Sequence, residues 1–208
     1  NRDLSEIHSL PGIGKLPSIK KRLAPAARRG KHEMNAMLIN LSLFKAGWLA
    51  AVFAAAASLP ILGTAAIGIA VAVHLWRSDA PRDELLLLAL AAALGFAWES
   101  LLVYTGIVQY GANAALAAIA PYWIVALWVL FATTLNVGMR WLRKNLLVAS
   151  VFGALGGPLS FLAGEKAGAV SFSDTSTALV VIGLGWAVML PLLVRYAARN
   201  DEHLAAAA

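Results

Sequence analysis

An all-α, polytopic membrane protein with six transmembrane helices and both termini in the cytoplasm is the fold class expected from this sequence. Three features lead there. Of the 208 residues, 60% are hydrophobic and only 13% are charged, against about 25% charge in a water-soluble domain. Mean hydropathy is +0.73, and the apolar residues gather into runs of about 20, the length that crosses a hydrocarbon core of roughly 30 Å. Those runs lack the period-two alternation of a barrel strand, so helices are left to satisfy the backbone inside lipid.

In chain order, hydropathy places the spans at residues 35–57, 60–76, 84–106, 121–142, 145–164 and 177–198. Ser58-Leu59-Pro60 makes a tight turn between the first two. The segment 107–120 is uncharged, and 165–176 holds a single basic residue, Lys166. All the other Lys and Arg residues except Lys45 fall before the first run, between the second and third, between the fourth and fifth, or at the end of the sixth. Cytoplasmic loops carry such an excess, so an even number of spans with both termini inside a bacterial inner membrane is expected. The net charge of +6 then reports topology and attraction to anionic lipid.

Three regions follow: a basic N-terminal segment at 1–33, the six-helix domain at 34–199, and a short tail at 200–208. The first region is too polar for a signal peptide, so targeting is expected to use the first span. Within it, Leu10-Pro11-Gly12-Ile13-Gly14-Lys15 and the basic Ser18-Ile19-Lys20-Lys21-Arg22-Leu23 admit two readings. One is a juxtamembrane segment lying on an anionic leaflet. The other is the glycine turn of a helix-hairpin-helix element that holds phosphates. Pro17 and the lack of a second copy favour the first, and no nucleic-acid partner is expected.

Ionisable groups inside spans cost a few kcal/mol each and mark functional candidates. Lys45 lies about 15 Å into the first span and Glu99 about 22 Å into the third, at 1.5 Å per residue. A long lysine side chain covers most of that difference in depth, so a Lys45 to Glu99 pair is geometrically open. Such a pair would serve either as a relay or as a device that fixes helix register; the alternative is that Lys45 forms no pair and simply snorkels. Asn136, beside Thr133 and Thr134, gives the fourth span a polar stripe suited to interhelical hydrogen bonds. His74 stands alone near the end of the second span, without the neighbouring ligands a metal needs, and reads as an interfacial group.

Trp76, Trp123 and Trp141 fall near span ends, where indoles favour the headgroup level. Trp48, Trp98, Trp128 and Trp186 lie deeper, either packing against small residues or lining a cavity for a flat or lipidic ligand. In the fifth span Gly153, Gly156, Gly157 and Gly164 permit close helix approach and Pro158 permits a kink. A place in the middle of the bundle is expected for that helix.

The chain has no cysteine, which removes thiolate catalysis, thiolate metal sites and disulfides. No metalloprotease, nucleophile-elbow, Walker or dinucleotide motif is present. The expectation is therefore no enzyme, no metal and no cofactor, with bound lipid or pigment as the ligands to consider.

Several stretches together resemble a bacterial inner-membrane family, domain of unknown function 2878, over about residues 34–199. They are Phe44-Lys45-Ala46-Gly47-Trp48, Trp98-Glu99-Ser100, Ala120-Pro121-Tyr122-Trp123 with Leu127-Trp128 and Phe131-Ala132, the glycine-proline run from Gly153 to Gly164, and Gly168-Ala169-Val170. The resemblance implies a compact multi-span fold and no particular reaction or ligand. Trp48, Glu99, Pro121, Trp128 and the Gly156-Gly157 pair match its pattern; Lys45 departs from it.

Two functions are carried forward from these observations. One is an accessory or subunit-type component that packs against lipid or another integral membrane protein. The other is a small carrier of an apolar or amphipathic molecule, with Glu99 as the polar contact. A lipid-modifying enzyme acting through Glu99, Asn136 and His74 stands behind both.

Overall fold

The computed structural model describes residues 19–111 and 119–206. The glycine turn at Leu10–Lys15 lies outside them. The chain separates into a unit Asn1–Ala36, which holds the first part of α1, and a unit Met37–Ala208, which holds the cavity and the polar clusters of the chain. Its elements are α1 (Ile19–Ala56), α2 (Pro60–Arg77), α3 (Pro81–Tyr104), a two-residue strand β1 (Val108–Gln109), α4 (Tyr122–Ala132), α5 (Leu146–Lys166), β2 (Ser171–Phe172) and α6 (Thr175–Ala206). Helix α1 contributes its apolar part, Glu33–Ala56, as a span, and α6 continues beyond the expected tail boundary to Ala206.

Local chemistry explains the boundaries. Pro60 and Pro81 open α2 and α3, where a missing N–H costs nothing. Asn145 caps α5 by accepting from the Leu147 and Val148 amides, and Asp174 accepts from the Thr177 amide at 2.8 Å near the start of α6. Helices α3 and α5 end alike: Gly106 and Gly168 take φ of 72° and 82°. The next amides, Ile107 and Ala169, reach back to the carbonyls of Leu102 and Gly164, the 6→1 bond of a Schellman stop. Each chain then runs into a strand, and β1 pairs antiparallel with β2, Val108 opposite Phe172 and Gln109 opposite Ser171. This small sheet ties the ends of α3 and α5 together. It is the one departure from an all-helical chain among the described residues, and nothing in the apolar pattern announced it.

Among the described residues, five helices are long and apolar enough to cross a membrane: Glu33–Ala56, α2, α3, α5 and Thr175–Arg199. The fourth run differs from expectation. Rather than one helix over 121–142, α4 stops at Ala132, turns follow, and a short 3-10 helix occupies Arg140–Lys144. Two threonines sit at the break. Thr133 and Thr134 donate their hydroxyls to the carbonyls of Leu130 and Phe131 at 2.7 and 2.6 Å, and such local bonds compete with helix continuation. Asn40 on α1 donates to the Thr133 carbonyl at 3.0 Å. The Leu41 side chain lies 2.7 Å from where a Cβ would stand on Gly138, so the glycine lets α1 pack closely against that bend. Thr133, Thr134 and Leu135 are buried, as irregular backbone at membrane depth has to be.

Helix α5 also departs from expectation. It packs along α6 and the 3-10 turn, while Leu147, Val151, Leu155 and Leu159 form an exposed stripe at four-residue spacing. It is a peripheral helix. The central place belongs to α6, whose Ala178, Ile182, Leu190, Leu193, Val194 and Ala197 are essentially inaccessible.

Candidate functional site

A cavity of about 400 Å³ lies among α1, α3, α4, α5 and α6, within the usual range for small-ligand pockets. Its inner wall is the buried side of the bundle: Glu99, Ile124, Trp128 and Leu190. The exposed residues around it are Lys45 on α1 and Phe152, Gly156, Leu159, Ser160 and Ala163 on α5. The cavity therefore opens sideways, between two spanning helices, rather than toward either end of the bundle. At that opening Trp48 Nε1 donates to Ser160 Oγ at 3.2 Å, a single hydrogen bond across the mouth.

Glu99 is wholly inaccessible. Tyr110 donates its hydroxyl to one carboxylate oxygen at 2.7 Å, and Trp128 Nε1 donates to the other at 2.9 Å. Burial, and then the neighbouring carboxylate, hold Tyr110 well above the ordinary tyrosine value of 10.0, so its hydroxyl keeps the proton it donates. Tyr110 follows β1, which explains the role of the small sheet: it brings a residue of the α3–α4 connection over the end of α3. Tyr110 is held in turn edge-on against Trp123. Trp123, in the first turn of α4, is thus buried against Tyr110.

The aromatic wall is built on glycines. A Cβ on Gly95 would stand 2.3 Å from the Trp128 ring, and one on Gly157 would stand 2.5 Å from Trp186. Trp128 and Trp186 stack at 4.5 Å, with Phe131 edge-on to Trp186 at 5.1 Å. A Cβ on Gly153 would meet the Trp186 carbonyl at 2.3 Å. Gly153 and Gly157 thus serve packing within the chain, while Pro158 approaches Gly183 on α6. Gly156 is different: nothing stands within 4 Å of its absent Cβ, and it borders the cavity.

The anticipated Lys45 to Glu99 pair is not formed. Both residues line the cavity, but Glu99 is engaged by Tyr110 and Trp128, and the Lys45 ammonium lies 5.6 Å from the centroid of the Trp48 ring, within cation–π range. Lys45 stays at the exposed mouth, over the Trp48 ring and not on Glu99.

His74 and Asn136 lie elsewhere, in a second polar cluster, and His74 is not alone. Its Nε2 is 3.1 Å from Glu84 Oε2, and both side chains are buried. Asn136 Nδ2 donates to Glu84 Oε1 at 2.6 Å, while Arg143 donates to Asn136 Oδ1. The cluster joins α2, the first turn of α3 and the irregular segment after α4. Glu84 is the functional-looking residue that sequence reasoning missed. It stood at the edge of a span, where an acid draws no attention, yet the short 78–80 turn folds α3 back beside α2 and brings residues 74 and 84 level.

A family model described as protein of unknown function (DUF2878) matches residues 37–192. The chain belongs to DUF2878. No curated protein and no solved structure matches it. The matched DUF2878 segment contains the whole cavity wall, both carboxylate clusters and the paired strands, and residues 1–36 lie outside it. Its bounds fall inside the 34–199 anticipated from the glycine-proline run and its companions.

Proposed function

We propose that this DUF2878 protein binds a small apolar or amphipathic molecule inside the bilayer and carries it there, with Glu99 as the polar contact and no covalent chemistry. The observation that carries this reading is a cavity that opens between α1 and α5 and has a buried carboxylate on its inner wall. A ligand already dissolved in lipid enters such a site without crossing water. The carboxylate then supplies the one directional contact that an otherwise apolar pocket needs for orientation. A subunit-type role has no observation of its own, because Gly153 and Gly157 face Trp186 of the same chain and lipid contact accounts for the α5 leucine stripe.

The same proposal includes a sixth crossing. Tyr110, paired with Trp123 at the start of α4, lies toward the β1–β2 end, whereas Asn136 bonds Glu84 at the α2–α3 end. Those contacts support α4 and its irregular continuation as one traverse, with the basic ends cytoplasmic in a bacterial inner membrane. Single cysteines in this cysteine-free chain test it: Ser78→Cys and Ser173→Cys should label from opposite faces of sealed vesicles. Labelling of both from one face would refute the sixth crossing.

Native mass spectrometry on protein extracted gently from its own membrane tests the binding itself. Wild-type protein should retain a stoichiometric amphipathic molecule that Glu99→Gln largely loses while staying folded. Bare protein in both samples would overturn the proposal.

A further inference from the structure

Resting on the reading of the cavity as a ligand site, we infer that the ligand's inner end is a hydroxyl group, held between the Glu99 carboxylate and the Trp186 indole N–H. Two observations meet here. Glu99 accepts one hydrogen bond on each oxygen, and a carboxylate offers about four acceptor positions, so it retains capacity. Trp186 lines the same cavity, and its buried Nε1 has no acceptor among the described residues. Indole N–H donates and never accepts. A buried donor left unsatisfied is costly enough that most find a partner, and inside lipid no water supplies one. Trp98 and Trp123 also carry buried N–H groups without acceptors, but neither borders the cavity.

The pair thus consists of an acceptor with spare capacity and an unused donor. Trp186 stacks at 4.5 Å on Trp128, the ring that itself donates to Glu99, so the residue with the unused donor lies one ring beyond the carboxylate, on the lining of the same cavity. A hydroxyl donates once and accepts, and it answers both. A carbonyl or ether satisfies Trp186 alone, an ammonium satisfies Glu99 alone, and a hydrocarbon satisfies neither. At about 30 Å³ per water-sized group, the cavity holds about a dozen methylene-sized groups, and any longer tail leaves between α1 and α5. The ligand class is a long-chain aliphatic alcohol.

The test is competition against tritiated dodecanol on full-length protein in phosphatidylcholine nanodiscs, using dodecanol, methyl dodecyl ether, dodecane and dodecylamine. Dodecanol should bind about tenfold more tightly than the ether, dodecane or the amine, the scale of one net hydrogen bond to a charged group. Trp186→Phe, which keeps the stacked ring, should weaken dodecanol by about tenfold and leave dodecane unchanged. Equal competition by all four would overturn the hydroxyl while leaving an apolar ligand site in place. Tighter binding of dodecylamine, or no effect of Trp186→Phe, would overturn it equally. Absence of any saturable binding would overturn it too, and together with bare protein in the native mass spectrum would remove the site as well.

Discussion

Helix α3 carries two buried carboxylates, and they live in different surroundings. Glu84, in its first turn, is met by His74 and Asn136, with Arg143 behind, all drawn from elements that must be fastened together. Glu99, near its other end, is met only by the neutral donors of Tyr110 and Trp128 and borders an open cavity. The first arrangement closes on itself: polar groups from α2, α3 and the irregular segment satisfy one another, which is what joins helices in lipid. The second sets a buried carboxylate beside a mainly apolar cavity. Each acid accepts one hydrogen bond on each oxygen, so a buried acid in a membrane protein is a fastening or a contact depending on whether a cavity lies beside it.

The comparison breaks most visibly at Glu84. Glu84→Ala leaves His74 and Asn136 without their acceptor, and breaking a buried network of this kind costs about 3–5 kcal/mol. Unfolding by detergent titration should show that loss, while ligand retained per folded molecule stays as in wild type. Gly95→Ala comes next, at about 1–3 kcal/mol for overpacking, because the added methyl displaces Trp128 from 2.3 Å. Unlike the change at Glu84, it should also lower ligand retention, since Trp128 holds Glu99. Glu99→Gln leaves one of the two buried donors without its carboxylate acceptor, a cost of about 1–3 kcal/mol, and should lose most of the ligand, which Glu84→Ala keeps.

The smallest effect belongs to a third carboxylate, the exposed Asp174. The Thr177 side chain and amide hold its carboxyl below the usual value of 3.8. Its folded form is therefore favoured when charged. The contribution is present above the ordinary aspartate range and is lost as pH falls through the depressed folded value. Detergent-titration curves of Asp174→Asn should lack that acid-side decline, and neither ligand retention nor the Glu84 network should change.

Much of this was legible in the residues. The apolar runs and the distribution of Lys and Arg mark the bundle, and Glu99 stands out because an acid far inside a span has no bland explanation. Asn136 with Thr133 and Thr134 marks a polar stripe, yet hydropathy reads the same stretch as one span. Only the hydroxyl-to-carbonyl bonds and the Asn40 contact reveal the break. The glycines of α5 announce close packing but not their partner, so Gly156, which faces open space, looks identical to Gly153, which faces a carbonyl. The cavity is invisible in one dimension because its walls come from five helices. Tyr110 was equally hidden: its importance depends on a four-residue sheet with no apolar signature.

Gly156→Phe tests the central claim most directly. The position has room for a side chain and borders the cavity, so phenylalanine fills the site without meeting backbone and replaces a poor helix former with a better one. Native mass spectrometry beside a detergent unfolding curve should find the variant at least as stable as wild type and stripped of the amphipathic molecule that wild type retains. A variant equally stable that still carries the molecule at full stoichiometry would contradict the account.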